Sequence, residues 1–345
     1  MRSKAPLPRQ LALTLGVLVA ALVAAEVAHR LWFYGPAGLS PERMASVRAL
    51  GETDFVEGSD WPLVGYRLKP GIEGWFKLAP FRTSSEGWRD GEYTRAKPAG
   101  TLRVAVVGDS FTMGSGVALE ETYHALLEEH LNAAGDGRRY EFISFGVGGY
   151  DLCNELGVVE RALADWDPDL ILLAVTWNDG PPLDPDGAGD ERAAPAPTAF
   201  WRLTLLDRFR SRALEPEEPA ARPMSWNERG LRRLLGPDAA LSGDEQFLPL
   251  VFERIRAVCA AAGVPVFCVY LSTGDSEELR HFAAQFEPAA RAAGFGFLDT
   301  CPLFTGLERR DVIILPNDGH PNARAHALYA AALERALRDG GWLYK

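Results

Sequence analysis

The chain has 345 residues, of which 47% are hydrophobic and 24% charged, the composition of a globular protein with a full core rather than of a disordered one. Its net charge of -11 argues against nucleic acid as a partner, because binding phosphates needs clustered lysine and arginine. The four cysteines, Cys153, Cys259, Cys268 and Cys301, have neither CxxC nor Cys/His spacing, so they read as small buried hydrophobes and no metal site is expected.

At the amino terminus Arg2, Lys4 and Arg9 precede "LALTLGVLVAALVAA", residues 11–25, which carry no charge. Charge followed by an apolar run is the order of a signal peptide or signal anchor. Continued through Trp32 and Tyr34, the helical pattern reaches the roughly twenty residues a bilayer requires, with aromatics at the far interface. Residues 1–34 are therefore expected to form a single-pass helix, N terminus inside, with the body outside the cytoplasm; cleavage after Ala25 gives a secreted form instead. Residues 35–100, rich in Pro, Gly and Trp, read as an irregular extension packing on the core.

From Thr101 onward strand-sized apolar runs alternate with segments of helical period. The runs are 102–107, 140–145, 170–175, 264–271 and 295–298. Between the first two, Tyr123, Leu126, Leu127, His130 and Leu131 recur at helical spacing before Gly135. A second stripe runs from Leu248 to Ala262, and Asn322 caps a last helix. Five such strands predict a doubly wound α/β domain over residues 101–345, with ligands at the carboxyl ends of the strands. An insertion at 181–225 interrupts it; its patch "AFWRLTLLDRF" reads as a lid or a membrane-facing helix, against the plainer reading of a linker.

Chemistry gathers where the strands end. Ser110 follows the first run in "VVGDSF" and is either a helix cap or a nucleophile. His320 lies in "NDGHPNARAH" before the last helix, with Asp318 two residues earlier to hold its ring, or else both shape a turn. "GVGGY" after the second run brings glycines whose backbone comes close to a substrate, and Asn178 after the third offers amide protons without being a base. His326 reads as a packing residue, and His124, His130 and His281 as remote from any strand end.

Gly108-Asp109-Ser110, a glycine after the second strand, Asn178 before an Asp, and Asp318 before His320, in this order, resemble the four blocks of the SGNH (GDSL) hydrolase superfamily. The resemblance runs from about Gly87 to the C terminus, with "EGWRDGEY" and "DSFTMGSGV" in agreement. It implies a three-layer α/β/α sandwich with a five-stranded, mainly parallel, flavodoxin-like sheet. It further implies Ser110 as nucleophile, His320 as general base and Asp318 as its orienter, with the oxyanion held by Ser110, Gly149 and Asn178. Gly149 follows from counting five residues beyond Ser144, which stands where the family commonly has Asn; Gly146 and Gly148 are alternatives. Many members keep the acid three residues before the histidine, where this chain has Asn317; the two-residue spacing resembles the periplasmic polysaccharide acetyltransferase branch, although esterase-like members also carry it. The expected function is a serine esterase acting on an acyl ester, such as an O-acetylated envelope glycan or a lipid ester, without cofactor. The alternatives are a polysaccharide O-acyltransferase and a non-catalytic glycan-binding module.

Overall fold

The computed structural model describes residues 9–41, 44, 54–77, 79–179, 247–316 and 318–344. The expected lid at 181–225 therefore lies outside the described residues, as does Asn317. The chain opens with helix α1 (Arg9–Tyr34), of which Leu11–Tyr34, 24 residues whose most apolar 18-residue stretch has a mean hydropathy of 2.3, is long and apolar enough to cross a membrane as an anchor or to serve as a signal sequence. Its last turn returns to the body: Tyr34 is buried with Met44 and Leu315, and Phe33 and Ile314 pack beside them.

The extension is more regular than its composition suggests. Strands β1 (Val56–Gly58) and β2 (Tyr66–Leu68) pair antiparallel, as do β3 (Glu73–Phe76) and β4 (Ala79–Arg82). Proline and glycine marked their turns and hid the three- and four-residue strands between them. Phe55, Leu68, Phe76, Phe81 and Trp88 join the main core, so the extension is part of the domain's packing.

The domain proper runs through β5 (Thr101–Gly108), α2 (Ser110–Met113), α3 (Tyr123–Ala134), β6 (Arg139–Ser144), α4 (Leu152–Trp166) and β7 (Leu170–Val175). It continues with α5 (Phe247–Ala262), β8 (Val266–Tyr270), α6 (Glu277–Ala292), β9 (Gly296–Asp299), the hairpin β10 (Ile313–Leu315) and β11 (Asp318–Pro321), and α7 (Ala323–Asp339). The sheet order is β6-β5-β7-β8-β9 and every pair is parallel, the fold expected from the alternating runs.

Period-two alternation divides the apolar side chains between two cores. Ala105 and Val107 of β5, with Ile171, Leu173 and Val175 of β7, face the layer of α4, α5 and α6. Leu102, Val104 and Val106, with Leu170, Leu172 and Ala174, face α3 and α7. Each large aliphatic side chain so buried contributes about 1.5–3 kcal/mol. On α3 the buried stripe is Tyr123, His124, Leu127 and Leu131, and the helix ends at Gly135 in the left-handed conformation. His130 is not in that stripe: it is half exposed, 3.4 Å from Glu334. All four cysteines are free and buried.

At the amino end of the sheet one charge sits in the core. Arg103 donates to Glu141 at 2.7 Å with both side chains almost fully buried, and its remaining donors take the carbonyls of Thr94, Arg95 and Trp166. This ties the extension's end to two strands and a helix. Glu141→Leu leaves that guanidinium unpaired, and the expected loss of stability in urea is about 3–5 kcal/mol.

Candidate active site

The strand-to-helix junction leaves no room for a side chain before the serine. A Cβ on Gly108 would overlap the Thr112 hydroxyl and lie 2.8 Å from the Ala174 carbonyl of the neighbouring strand. Asp109 then caps α2, its Oδ1 accepting from the Phe111 amide at 2.8 Å. The capping role that Ser110 was a candidate for thus belongs to its neighbour. The Ser110 hydroxyl instead lies 2.9 Å from His320 Nε2.

His320 reaches that position on the β10–β11 hairpin, whose register sets Leu315 against Asp318 and Ile313 against Pro321. Asp318 Oδ1 meets His320 Nδ1 in a short contact and accepts from the His320 amide at 3.2 Å. A carboxylate on Nδ1 keeps the proton there and turns Nε2 toward the serine as an acceptor. Burial pushes the Asp318 carboxyl up, but His320 and Lys77 together hold it well below the usual carboxylate range. Lys77, which sequence reasoning did not single out, comes from the turn between β3 and β4 with its Nζ 2.6 Å from Asp318 Oδ2.

Two loops close the other side. In the loop after β6, Gly146 allows close approach, since a Cβ there would overlap the backbone of Thr112 and Met113, and its N–H is directed to Ser144 Oγ at 3.4 Å. A Cβ on Gly148 would stand 3.8 Å from that of Ser110. The Tyr66 hydroxyl donates to the Gly148 carbonyl at 2.7 Å, and Gly149 has φ +79. Carbonyl and N–H of one trans peptide point in opposite directions, so Tyr66 orients the Gly149 N–H by holding the oxygen of the same peptide. After β7, the Thr176 hydroxyl sits against Asn178 Oδ1 and 3.1 Å from Asp109 Oδ2, the two oxygens sharing its one proton, and the Asn178 amide lies near enough to Asp109 to pull its carboxyl down against the effect of burial.

Beneath the serine lies a layer of buried ionisable groups. Burial pushes the carboxyls of Asp109, Asp179 and Glu155 up, and the proximity of Asp109 raises the other two further. His326 is buried as expected, its Nδ1 accepting from the Tyr123 amide at 3.2 Å, and burial lowers it to about 3. His124 is likewise lowered to about 3 by burial and sits 3.8 Å from Asp90, nearer the strand ends than its helical sequence suggested. Arg89 of "EGWRDGEY" is fully buried and donates to the carbonyls of Met113, Gly114, Val117 and Pro80, clamping the loop after α2 to the extension.

A parallel α/β sandwich in which a serine and a histidine meet at the strand ends is the architecture of the SGNH hydrolases. Residues 106–328 match the GDSL-like lipase/acylhydrolase family; the chain belongs to that family and is a hydrolase of ester bonds. No curated protein matches its sequence. Among solved structures, it is similar to LAE5, an alpha/beta hydrolase enzyme from the metagenome of Lake Arreo, Spain, with 13% identity over 71% of this chain and 97% of that one at a TM-score of 0.42. The psychrotrophic esterase EstA of Pseudoalteromonas sp. has 14% identity over 70% and 99% at 0.41, and the acetylxylan esterase Axe2 of Geobacillus stearothermophilus 14% over 72% and 97% at 0.41. At these identities and scores such neighbours say nothing about this chain's substrate.

Asp90 makes the extension's seat pH-dependent. Burial pushes its carboxyl up to about 7, although the Ser144 and Gly91 amides donate to it. An acid whose folded value exceeds its unfolded value of about 3.9 is at no cost below that value and loses stability as it ionises on the way to the folded one. Urea titrations at a series of pH values should show stability declining from about pH 4 to pH 7, and Asp90→Asn should remove that part of the decline.

Proposed function

We propose that Ser110, His320 and Asp318 act as a catalytic triad and that the chain cleaves acyl esters through an acyl-enzyme. The observation that carries this reading is the unbroken chain of contacts from the Asp318 carboxylate through the imidazole to the Ser110 oxygen, 2.9 Å from Nε2. His320 takes the hydroxyl proton as Oγ attacks the acyl carbon, and Asp318 stabilises the imidazolium that forms. The tetrahedral oxyanion is received by the N–H groups of Ser110 and Gly149 and by the amide of Asn178. An amide nitrogen has two protons, so Asn178 can bond Asp109 with one and the oxyanion with the other. The imidazolium then protonates the departing alcohol, and water, activated by the same ring, releases the acid.

We read α1 as an anchor holding the domain outside the cytoplasm, where an O-acetylated glycan or lipid ester of the envelope is the substrate. Its length and hydropathy support this, as do Arg2, Lys4 and Arg9 before it. The packing of Tyr34 on Leu315, the residue opposite Asp318, keeps the site close to the anchor. Polysaccharide O-acyl transfer shares the covalent half of the reaction. The two-residue spacing of Asp318 and His320 is common to the acetyltransferase branch and to esterase-like members, and the two reactions differ in that a sugar hydroxyl replaces water.

Ser110→Ala should abolish labelling by a fluorophosphonate and reduce p-nitrophenyl acetate hydrolysis by at least about 10³-fold; a labelled, active variant refutes the triad. Adding acetylated and free oligosaccharides as acceptors separates transfer from hydrolysis by the product formed. Tyr66→Phe frees the Gly148 carbonyl, and kcat should fall about tenfold with KM little changed, since the peptide it orients acts only on the oxyanion. Full-length protein should remain in the membrane fraction after alkaline washing, whereas a protein cleaved after Ala25 will not.

A further inference from the structure

The turn of the β3–β4 hairpin carries a lysine where the backbone favours glycine. Lys77 has φ +56, in the left-handed region that side chains other than those of glycine and asparagine avoid. A residue held there against its preference points to a role for its side chain. That side chain is the only atom group of the extension described here that reaches the acid and the base together: Nζ is 2.6 Å from Asp318 Oδ2 and 3.0 Å from His320 Nδ1. The pair is mostly shielded from water, with side-chain exposures of 13% and 17%.

We infer that Lys77 is a positioning residue for the Asp318–His320 pair, locking the carboxylate in place and opposing premature protonation of the imidazole. This rests on the triad reading given above. Asp318 has two oxygens and needs both satisfied. Oδ1 is occupied by the ring and by the His320 amide, and Lys77 occupies Oδ2, so the carboxylate has no freedom to rotate away from Nδ1. Lysine has donors and no acceptor, so at 3.0 Å it cannot take the proton from Nδ1 and competes only for the opposite tautomer. Its engagement by Oδ2 keeps it from doing so.

The electrostatic consequence has a definite sign. Around the ring stand Asp318 on its own hairpin, Lys77 from the extension, and Ser110 and the Asp109 carboxyl from the strand end. Arg309 lies against Gly319, its Nη2 2.6 Å from where a Cβ would be, and His326 comes from α7. Removing Lys77 takes away a positive charge close to Nδ1 and leaves Asp318 unopposed, which favours the imidazolium. A base already protonated cannot accept the serine proton, so activity must be lost at a higher pH than in the wild type.

The test measures kcat/KM for p-nitrophenyl acetate from pH 5 to 9 with the full-length protein in detergent, for wild type, Lys77→Met and Lys77→Arg. In Lys77→Met the acid limb should move up by about one pH unit, the size typical of a neighbouring charge, while Lys77→Arg keeps it at the wild-type position. A parallel series with the rate of fluorophosphonate labelling reads Ser110 activation without turnover, and the labelled fraction at pH 9 reports folding. An acid limb in folded Lys77→Met that superimposes on the wild type overturns the inference. Should Lys77→Met not fold, Lys77→Gln takes its place under the same criterion. If the wild type shows no Ser110-dependent hydrolysis, the triad reading fails and this inference with it; if it hydrolyses the ester and no variant shifts, only the role of Lys77 fails.

Discussion

The site depends on parallel strand pairing. Because β5, β6 and β7 all run in one direction, with Val106 opposite Ser144 and Gly108 opposite Ala174, their carboxyl ends finish on one rim. The serine, the glycine loop and Asn178 follow those ends directly, so three segments far apart in the chain arrive together without any further device. The fourth, carrying Asp318 and His320, is brought to the same rim by a separate hairpin at the foot of α7, and the 2.9 Å approach of imidazole to hydroxyl spans 210 positions of sequence.

The extension before the sheet takes part in that rim rather than merely joining it to α1. Arg89 clamps the loop after α2, Tyr66 holds a peptide of the glycine loop, and Lys77 meets Asp318. Each acts on a different part of the proposed machinery. The buried apolar side chains Phe55, Leu68, Phe76 and Phe81 provide the rigid base from which these polar groups reach in. A long polar side chain is positioned only as well as its Cα is, and two short hairpins packed on a core position Tyr66 and Lys77, with Arg89 in the segment that follows them.

Under the rim, Asp109, Asp179 and Glu155 are all buried, which favours their neutral forms, and the charge of Asp109 pushes the other two further the same way. The Thr176 hydroxyl stands between Asp109, Asn178 and Asp179, so the orientation of the Asn178 amide is coupled to this layer. On the other side, neutral His124 and His326 pack around Tyr123. Asp109, Asn178 and Asp179 stand in the motifs of the sequence, but Glu155, His124 and His326 were visible there only as ordinary helix residues, because their burial is a property of the assembled layers.

The sequence alone determined the sheet, since five short apolar runs separated by helical segments can bury both faces only as a covered parallel sheet. It also determined which residues could do chemistry, because a hydroxyl and an amide each stood just after a strand, and a carboxylate and an imidazole just before the last helix, in an order shared with a known family. The hairpins at Val56–Gly58 with Tyr66–Leu68 and at Glu73–Phe76 with Ala79–Arg82 escaped it: strands this short have no periodicity to read. Only the tertiary structure decided that Asp109 rather than Ser110 caps α2, that Tyr66 and Lys77 reach the site, and that His124 is buried. Such facts arise from contacts between segments whose separation along the chain is arbitrary, and local pattern carries information only about the neighbours a residue has within its own helix or strand.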